Sequence, residues 1–208
     1  MLEEGLVFIG SYGGRGSRLR RPEGSSYTNG GPKSLLVVGG LPLGAYPILQ
    51  AYQAGIRNFF VSVNREEDRV RWLEILGDLI PRAYFQVGLH GTQKPTDVFT
   101  SNDAERFLEE RRSSPILWGL GDDYLPPWHI CALIRAYKEL GISVASRKSA
   151  ERFDGCLNVS PVYDESYIIY DWKDEPPKWV PNPPMIISPR DRREFLYLSN
   201  NSTSESVR

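Results

Sequence analysis

Four glycines crowd into the seven residues from Gly10 to Gly16, directly after a short apolar run, and this stretch constrains the chain more than any other. Leu6 to Ile9 reads as a buried strand, and the chain then runs G-S-Y-G-G-R-G-S-R-L from Gly10 to Leu19. Glycines placed straight after a buried strand let backbone N–H groups approach an anion that any side chain would keep away. Arg18, and further on Lys33 in the pair Pro32-Lys33, add fixed positive charge beside such a turn. The combination suits a polyphosphate.

Two familiar phosphate loops do not fit. The dinucleotide fingerprint G-x-G-x-x-G aligns with Gly14 and Gly16 but needs a third glycine where Leu19 stands. That argues against a dinucleotide-binding oxidoreductase. No G-x-x-x-x-G-K-S/T run occurs anywhere, so the chain has no P-loop.

With 208 residues the chain is long enough for one substantial domain with a real core. A net charge of -1 gives no hint of a nucleic-acid surface. Cys131 and Cys156 are the only cysteines and form no C-x-x-C, so neither a zinc site nor a disulfide framework is expected. The first residues, MLEEGLVFIG, lack the basic start and long apolar stretch of a signal peptide, and no run reaches the length of a membrane span. A cytoplasmic protein is expected.

Strands and helices alternate along the first 150 residues in the manner of a layered α/β domain. Leu43 to Ala54 reads as a helix stopped by Gly55, Phe59 to Val63 as a strand, Glu66 to Leu76 as a helix ended by Gly77, and Ala83 to Val87 as a strand. Asn102 with Glu105 gives a capping-box signal for a helix through Arg112. Pro115 to Leu120 is the next strand; Ile130, Leu133, Ile134 and Tyr137 then mark an amphipathic helix ended by Gly141, and Ile142 to Ser146 returns as a strand. Beyond residue 150 the pattern breaks into short β-like pieces, Ser166 to Tyr170 and Met185 to Ile187, separated by a proline cluster. The polar segment 199–208 reads as a flexible tail.

A second chemical signal, Gly119-Leu120-Gly121-Asp122-Asp123, closes the Pro115 to Leu120 strand. Ligands of open α/β sheets gather outside the carboxyl ends of the strands. An aspartate there is placed to hold Mg²⁺ against phosphate oxygens, although an aspartate capping the next helix is the plain alternative.

These segments together resemble the sugar-phosphate nucleotidyltransferases, such as the glucose-1-phosphate thymidylyl- and uridylyltransferases. The family signature G-G-x-G-T/S-R-L followed by P-K-x-L-x-x-V-x-G-x-P is matched by Gly13 to Leu19 and Pro32 to Pro42, with Ser17 in place of the more usual threonine. The resemblance implies a three-layer α/β/α, Rossmann-like (GT-A-like) domain with a mostly parallel mixed sheet. It would span residues 1–198, with 1–150 as a nucleotide-binding half and 151–198 as a β-rich sugar-side half. It implies that Gly13, Gly14, Gly16 and Ser17 bind the nucleotide, that Arg18 and Lys33 act in catalysis, and that Asp122 binds Mg²⁺. Gln86 to Thr92 is similar to the family's Q-x-x-x-x-G-T segment, which implies that Gln86 and the Gly91 backbone read the nucleobase. His90 and His129 receive no role.

On the sugar side the resemblance implies roles for Gly155, in Phe153-Asp154-Gly155, and for Asp174, in Asp174-Glu175-Pro176. Glu175 stands where the family has a phosphate-binding lysine. The family's second metal-binding aspartate has no motif here, Asp191 being the only nearby candidate. The activity implied is transfer of a nucleotidyl group from an NTP to a sugar-1-phosphate. Two rivals stand beside it: transfer to another phosphorylated acceptor, and a non-catalytic nucleotide-binding regulatory relative. The sequence leaves a homo-oligomer open.

Overall fold

The computed structural model describes residues 5–14, 31–90, 95–121, 127–141, 143–146, 157–159, 167–170, 185–193 and 195–196. Strand β1 (Val7–Ser11) lies at the centre of the domain, buried on both faces. It pairs in parallel with β4 (Asn58–Val63) on one side and with β6 (Ile116–Leu120) on the other. Beyond β4 lies β5 (Tyr84–Leu89), also parallel. Beyond β6 comes β10 (Met185–Ile187), antiparallel, followed by β7 (Ser143–Ser146), β9 (Tyr167–Tyr170) and β8 (Leu157–Val159), each antiparallel to its neighbour. Among the described residues the sheet thus has eight strands in the order β5-β4-β1-β6-β10-β7-β9-β8. All but β10 and β9 run in one direction, as the mostly parallel mixed sheet of the sequence reading requires.

Helices cover both faces, which makes three layers. On one face Leu6, Phe8 and Tyr12 pack with Ile48 of α1 (Ala45–Gln53), Trp72 and Leu76 of α2 (Glu66–Leu79) and Leu133 of α4 (Pro127–Leu140). On the other, Val7, Ile9 and Trp118 pack with Phe107 of α3 (Asn102–Glu109) and with Phe195. The alternation of Phe8 against Val7 and Ile9 is the period-2 geometry of a strand with an apolar layer on each side, which explains the unbroken run L-V-F-I. Burying each such side chain contributes about 1.5–3 kcal/mol. A separate hairpin, β2 (Val37–Val38) and β3 (Leu41–Pro42), turns through Gly39 and Gly40, both at positive φ.

Several boundaries move. Gly77 does not end α2, which continues to Leu79. A glycine inside a helix costs about 1 kcal/mol, and the burial of Leu76 and Ile80 on either side outweighs it. The cap of α3 is Ser101, whose Oγ accepts from the Ala104 amide at 3.2 Å, rather than Asn102. Strand β5 extends past Val87 to Leu89 because β4 offers pairing partners as far as Val63. The late strands β8, β9 and β10 join the same sheet as β1, β4, β5, β6 and β7, with β10 inserted between β6 and β7.

Candidate functional site

The carboxyl edge of the central strands is drawn together by backbone hydrogen bonds. After β1 the chain turns through Tyr12, Gly13 and Gly14. Tyr12 is buried, and its hydroxyl donates to the Gly44 carbonyl at 2.7 Å while its ring stands edge-on to Trp72. This anchors the start of the glycine turn in the core. Gly13 presses against Asn64, the residue after β4: a Cβ at Gly13 would stand 2.6 Å from Asn64 Cγ and 2.7 Å from Nδ2. Asn64 Nδ2 donates to the Gly13 carbonyl at 2.9 Å. Only a residue without a side chain leaves room for the Asn64 amide group so close to the Gly13 backbone. Gly14, by contrast, is exposed, with open space where a Cβ would be.

The second signature segment returns to the same turn. The Lys33 amide donates to the Gly14 carbonyl at 2.7 Å, closing the loop at its base. Ser34, buried, donates from Oγ to the Tyr12 carbonyl at 3.1 Å, and its carbonyl accepts from the Gly44 amide. Pro32 and Lys33, twenty residues along the chain from the glycines, therefore sit beside them because a 3-10 turn at Lys33–Leu35 is stitched to β1. Strand β6 completes the edge. The Gly121 amide donates to the Ser11 carbonyl at 3.2 Å, and a Cβ at Gly121 would lie 2.8 Å from Ser34 Cβ. Gly121 is the residue before Asp122, and Ser34 is the residue after Lys33.

Of the residues singled out in the sequence, Gly13, Gly14, Lys33 and Gln86 are described. Gly16, Ser17, Arg18, Gly91, Asp122, Gly155 and Asp174 lie outside the described residues. The first three of the described residues come together; Gln86 does not join them. It lies inside β5, paired with Phe60, while the level of Ser11 on that strand is Gly88. The residue that emerges from β5 at the edge is His90, whose amide donates to the Val63 carbonyl at 2.9 Å. His90 is buried, and neither ring nitrogen has a hydrogen-bond partner among the described residues. Asn64 Oδ1, just past the neighbouring strand β4, is a buried acceptor without a donor among the described residues. Unsatisfied buried polar atoms are costly and concentrate where ligands complete the bonding. The sequence signal for His90 was its position: the first polar residue past the pairing of a strand on the glycine-turn edge.

Asp191 belongs elsewhere. It is buried, and its Oδ2 accepts from the Ser143 amide at 3.0 Å and from the Ser143 hydroxyl at 2.7 Å. Ser143 opens β7, which runs in the same direction as β6, so this network lies at the amino edge, opposite the glycine turn. Its carboxylate ties β7 to the segment after β10, on the edge away from the glycine turn. No group of three or more possible metal-ligating side chains occurs among the described residues. No helix among them is long and apolar enough to cross a membrane.

No family model and no curated protein matches the chain. Solved structures do. The crystal structure of UDP-glucose pyrophosphorylase complexed with UDP-glucose is 15% identical, matching 97% of this chain and 81% of that one at a TM-score of 0.55. Apo UDP-glucose pyrophosphorylase is 14% identical over 96% of this chain and 81% of that chain, with a TM-score of 0.60. A putative glucose-1-phosphate thymidylyltransferase from Bacillus anthracis is 16% identical over 97% and 77%, with a TM-score of 0.54. With its layer order, its mostly parallel sheet and its glycine turn at the carboxyl edge, the chain has the fold of the sugar-phosphate nucleotidyltransferases.

Proposed function

We propose that the protein transfers a nucleotidyl group from an NTP to a sugar-1-phosphate, releasing pyrophosphate. The observation that carries this reading is the convergence at one sheet edge of the Gly13-Gly14 turn, the Lys33 backbone that closes it, and Gly121 immediately before Asp122. The three neighbours in fold are named for reactions of this class, and one is a complex with UDP-glucose.

In this mechanism the NTP phosphates lie on the N–H groups of the turn from Gly13 through Gly16 and Ser17. Lys33 and Arg18 neutralise charge on the α-phosphate and on the departing pyrophosphate. Asp122, next in sequence to Gly121, would hold Mg²⁺, a hard cation that carboxylate oxygens suit. The ion, when bound, supplies further charge neutralisation. Gly155 and Asp174 contact the sugar. The acceptor phosphate oxygen attacks the α-phosphorus and the bond to the β-phosphate oxygen breaks. Such catalysis is positioning and charge stabilisation, so no activated side-chain nucleophile is needed. A second reading, transfer to another phosphorylated acceptor, is favoured by Glu175, whose charge would repel a sugar phosphate at the position where the family has lysine.

The test is pyrophosphate release with Mg²⁺, pairing each NTP with a panel of sugar-1-phosphates and other phosphorylated acceptors. Release should require one acceptor and fall on the order of 10²-fold in Lys33→Ala. Nucleotide binding without release from any acceptor would instead establish a non-catalytic relative.

A further inference from the structure

Strand β5 ends the sheet on its side, and among the described residues only β4 pairs with it. The Tyr84 amide donates to the Arg57 carbonyl and the His90 amide to the Val63 carbonyl, each at 2.9 Å, so the even-numbered residues bond to the β4 side. Phe85, Val87 and Leu89 therefore direct their N–H and C=O groups away from the sheet. The Leu89 amide is taken, since it donates to Asp103 Oδ2 at 3.3 Å. Phe85 and Val87 leave the ladder open. Exposed edges are usually guarded by lysine, proline or a bulge, whereas Y-F-Q-V-G-L has no charge and no proline and pairs with β4 without interruption. An unguarded edge of this kind is a template for another strand.

The strand that fits it is a second copy of itself. Joined antiparallel about a two-fold axis at Gln86, Phe85 of each copy exchanges N–H···O bonds with Val87 of the other. Gln86 then faces its own copy, and each amide group can donate to and accept from the other. The neighbouring registers are closed. A joint centred on Val87 would need the Leu89 amide that Asp103 holds, and one centred on Phe85 would need the Ala83 amide, which donates to the Ile80 carbonyl at 2.9 Å.

Charge agrees with the same register, which sets Tyr84 opposite Gly88 of the second copy. The exposed Tyr84 ring stacks on Phe107 of α3, with Arg111 Cζ 4.7 Å from its centre. Asp103 covers Gly88 on that face of the sheet, where a glycine Cβ would stand 2.9 Å from Asp103 Cβ. The guanidinium over Tyr84 thus meets the carboxylate over the facing Gly88, and the symmetry repeats the contact. We infer that two copies of the protein join through β5 into one continuous sheet, with Gln86 on the axis and Arg111 of each copy beside Asp103 of the other. The antiparallel joint sets the two glycine turns at opposite edges of the combined sheet. This goes beyond the function proposed above and does not depend on it.

Sedimentation equilibrium of the full chain at tens of micromolar should give twice the mass of one chain. Gln86→Cys, with Cys131 and Cys156 replaced by serine, should form a covalent dimer under mild oxidation, because facing residues of a non-hydrogen-bonded pair lie within disulfide reach. Tyr84→Cys in the same background should not, being roughly 14 Å from its own copy in this register. Phe85→Pro removes an outward N–H without touching the bonds to β4 and should leave a monomer. If circular dichroism shows that variant unfolded, Arg111→Glu, which sets like charges together, should raise the dimer dissociation constant about tenfold. A monomeric wild-type protein, or any assembly other than a dimer, overturns the inference. So does a dimer that Tyr84→Cys cross-links as readily as Gln86→Cys, that Gln86→Cys fails to cross-link, or that whichever of the last two variants is folded leaves unchanged.

Discussion

Replacing Gly13 by alanine tests the geometry on which the whole edge depends. The added methyl would lie 2.6 Å from Asn64 Cγ and 2.7 Å from Nδ2, inside any real carbon contact, and closer still to Oδ1. Retreat of Asn64 would break the bond by which its Nδ2 holds the Gly13 carbonyl at 2.9 Å. Overpacking of this kind costs about 1–3 kcal/mol, and loss of the amide bond adds about 1 kcal/mol. The single substitution should therefore destabilise by about 2–4 kcal/mol in urea unfolding followed by circular dichroism. Asn64→Ala alone loses the bond to Gly13 but also removes the unsatisfied Oδ1, so it should cost no more than about 1 kcal/mol. The double variant makes the argument decisive. With Asn64 shortened to a methyl, the Gly13 side chain has room, and the pair should be no less stable than Asn64→Ala by more than about 1 kcal/mol. Simple additivity of the two single effects would refute the close approach as the reason for glycine at this position.

Two further outcomes follow from the fold. Ser101→Ala removes the oxygen that accepts from Ala104 and should cost about 1 kcal/mol, a fall of about 2–4 °C in thermal unfolding at this chain length. Asp191→Ala leaves both the Ser143 amide and its hydroxyl without their acceptor and should cost about 2–3 kcal/mol in the same measurement. Its nucleotide affinity should stay unchanged, since Asp191 lies at the edge opposite the glycine turn; a large loss of Mg²⁺-dependent binding in a folded Asp191 variant would overturn that assignment.

What the sequence made legible was local. The strand entering the glycine turn, the alternation of strands and helices and the pairing of Gly13-Gly14 with Lys33 all rest on residue type and spacing within short windows. What it hid was set by tertiary contacts. Gly77 looked like a stop signal, yet the burial of Leu76 and Ile80 carries α2 through it. Gln86 looked like the residue at a strand end, but the length of β5 is decided by its partner β4, and that moved the emerging polar side chain to His90. Asp191 looked like a spare carboxylate until the direction of β7 placed it on the far edge. A strand as short as Leu157–Val159 carries too few residues for a period to register at all.

The place of β10 has a consequence for how the protein is made. Strand β6, which carries Gly121 to the site, is bordered on one side by β1 and on the other by β10, with Met185 opposite Trp118. During synthesis the β1 side of that strand can be closed as soon as β6 emerges. Its other side must wait until the segment around Met185 has been translated, and β7 waits with it, since its partner on that side is also β10. The nascent domain therefore passes through a stage with two open strand edges facing the same gap, the situation in which a sheet is most exposed to pairing with a foreign strand. One late, three-residue strand closes both edges and binds β7, β9 and β8 to the half of the sheet that carries the glycine turn.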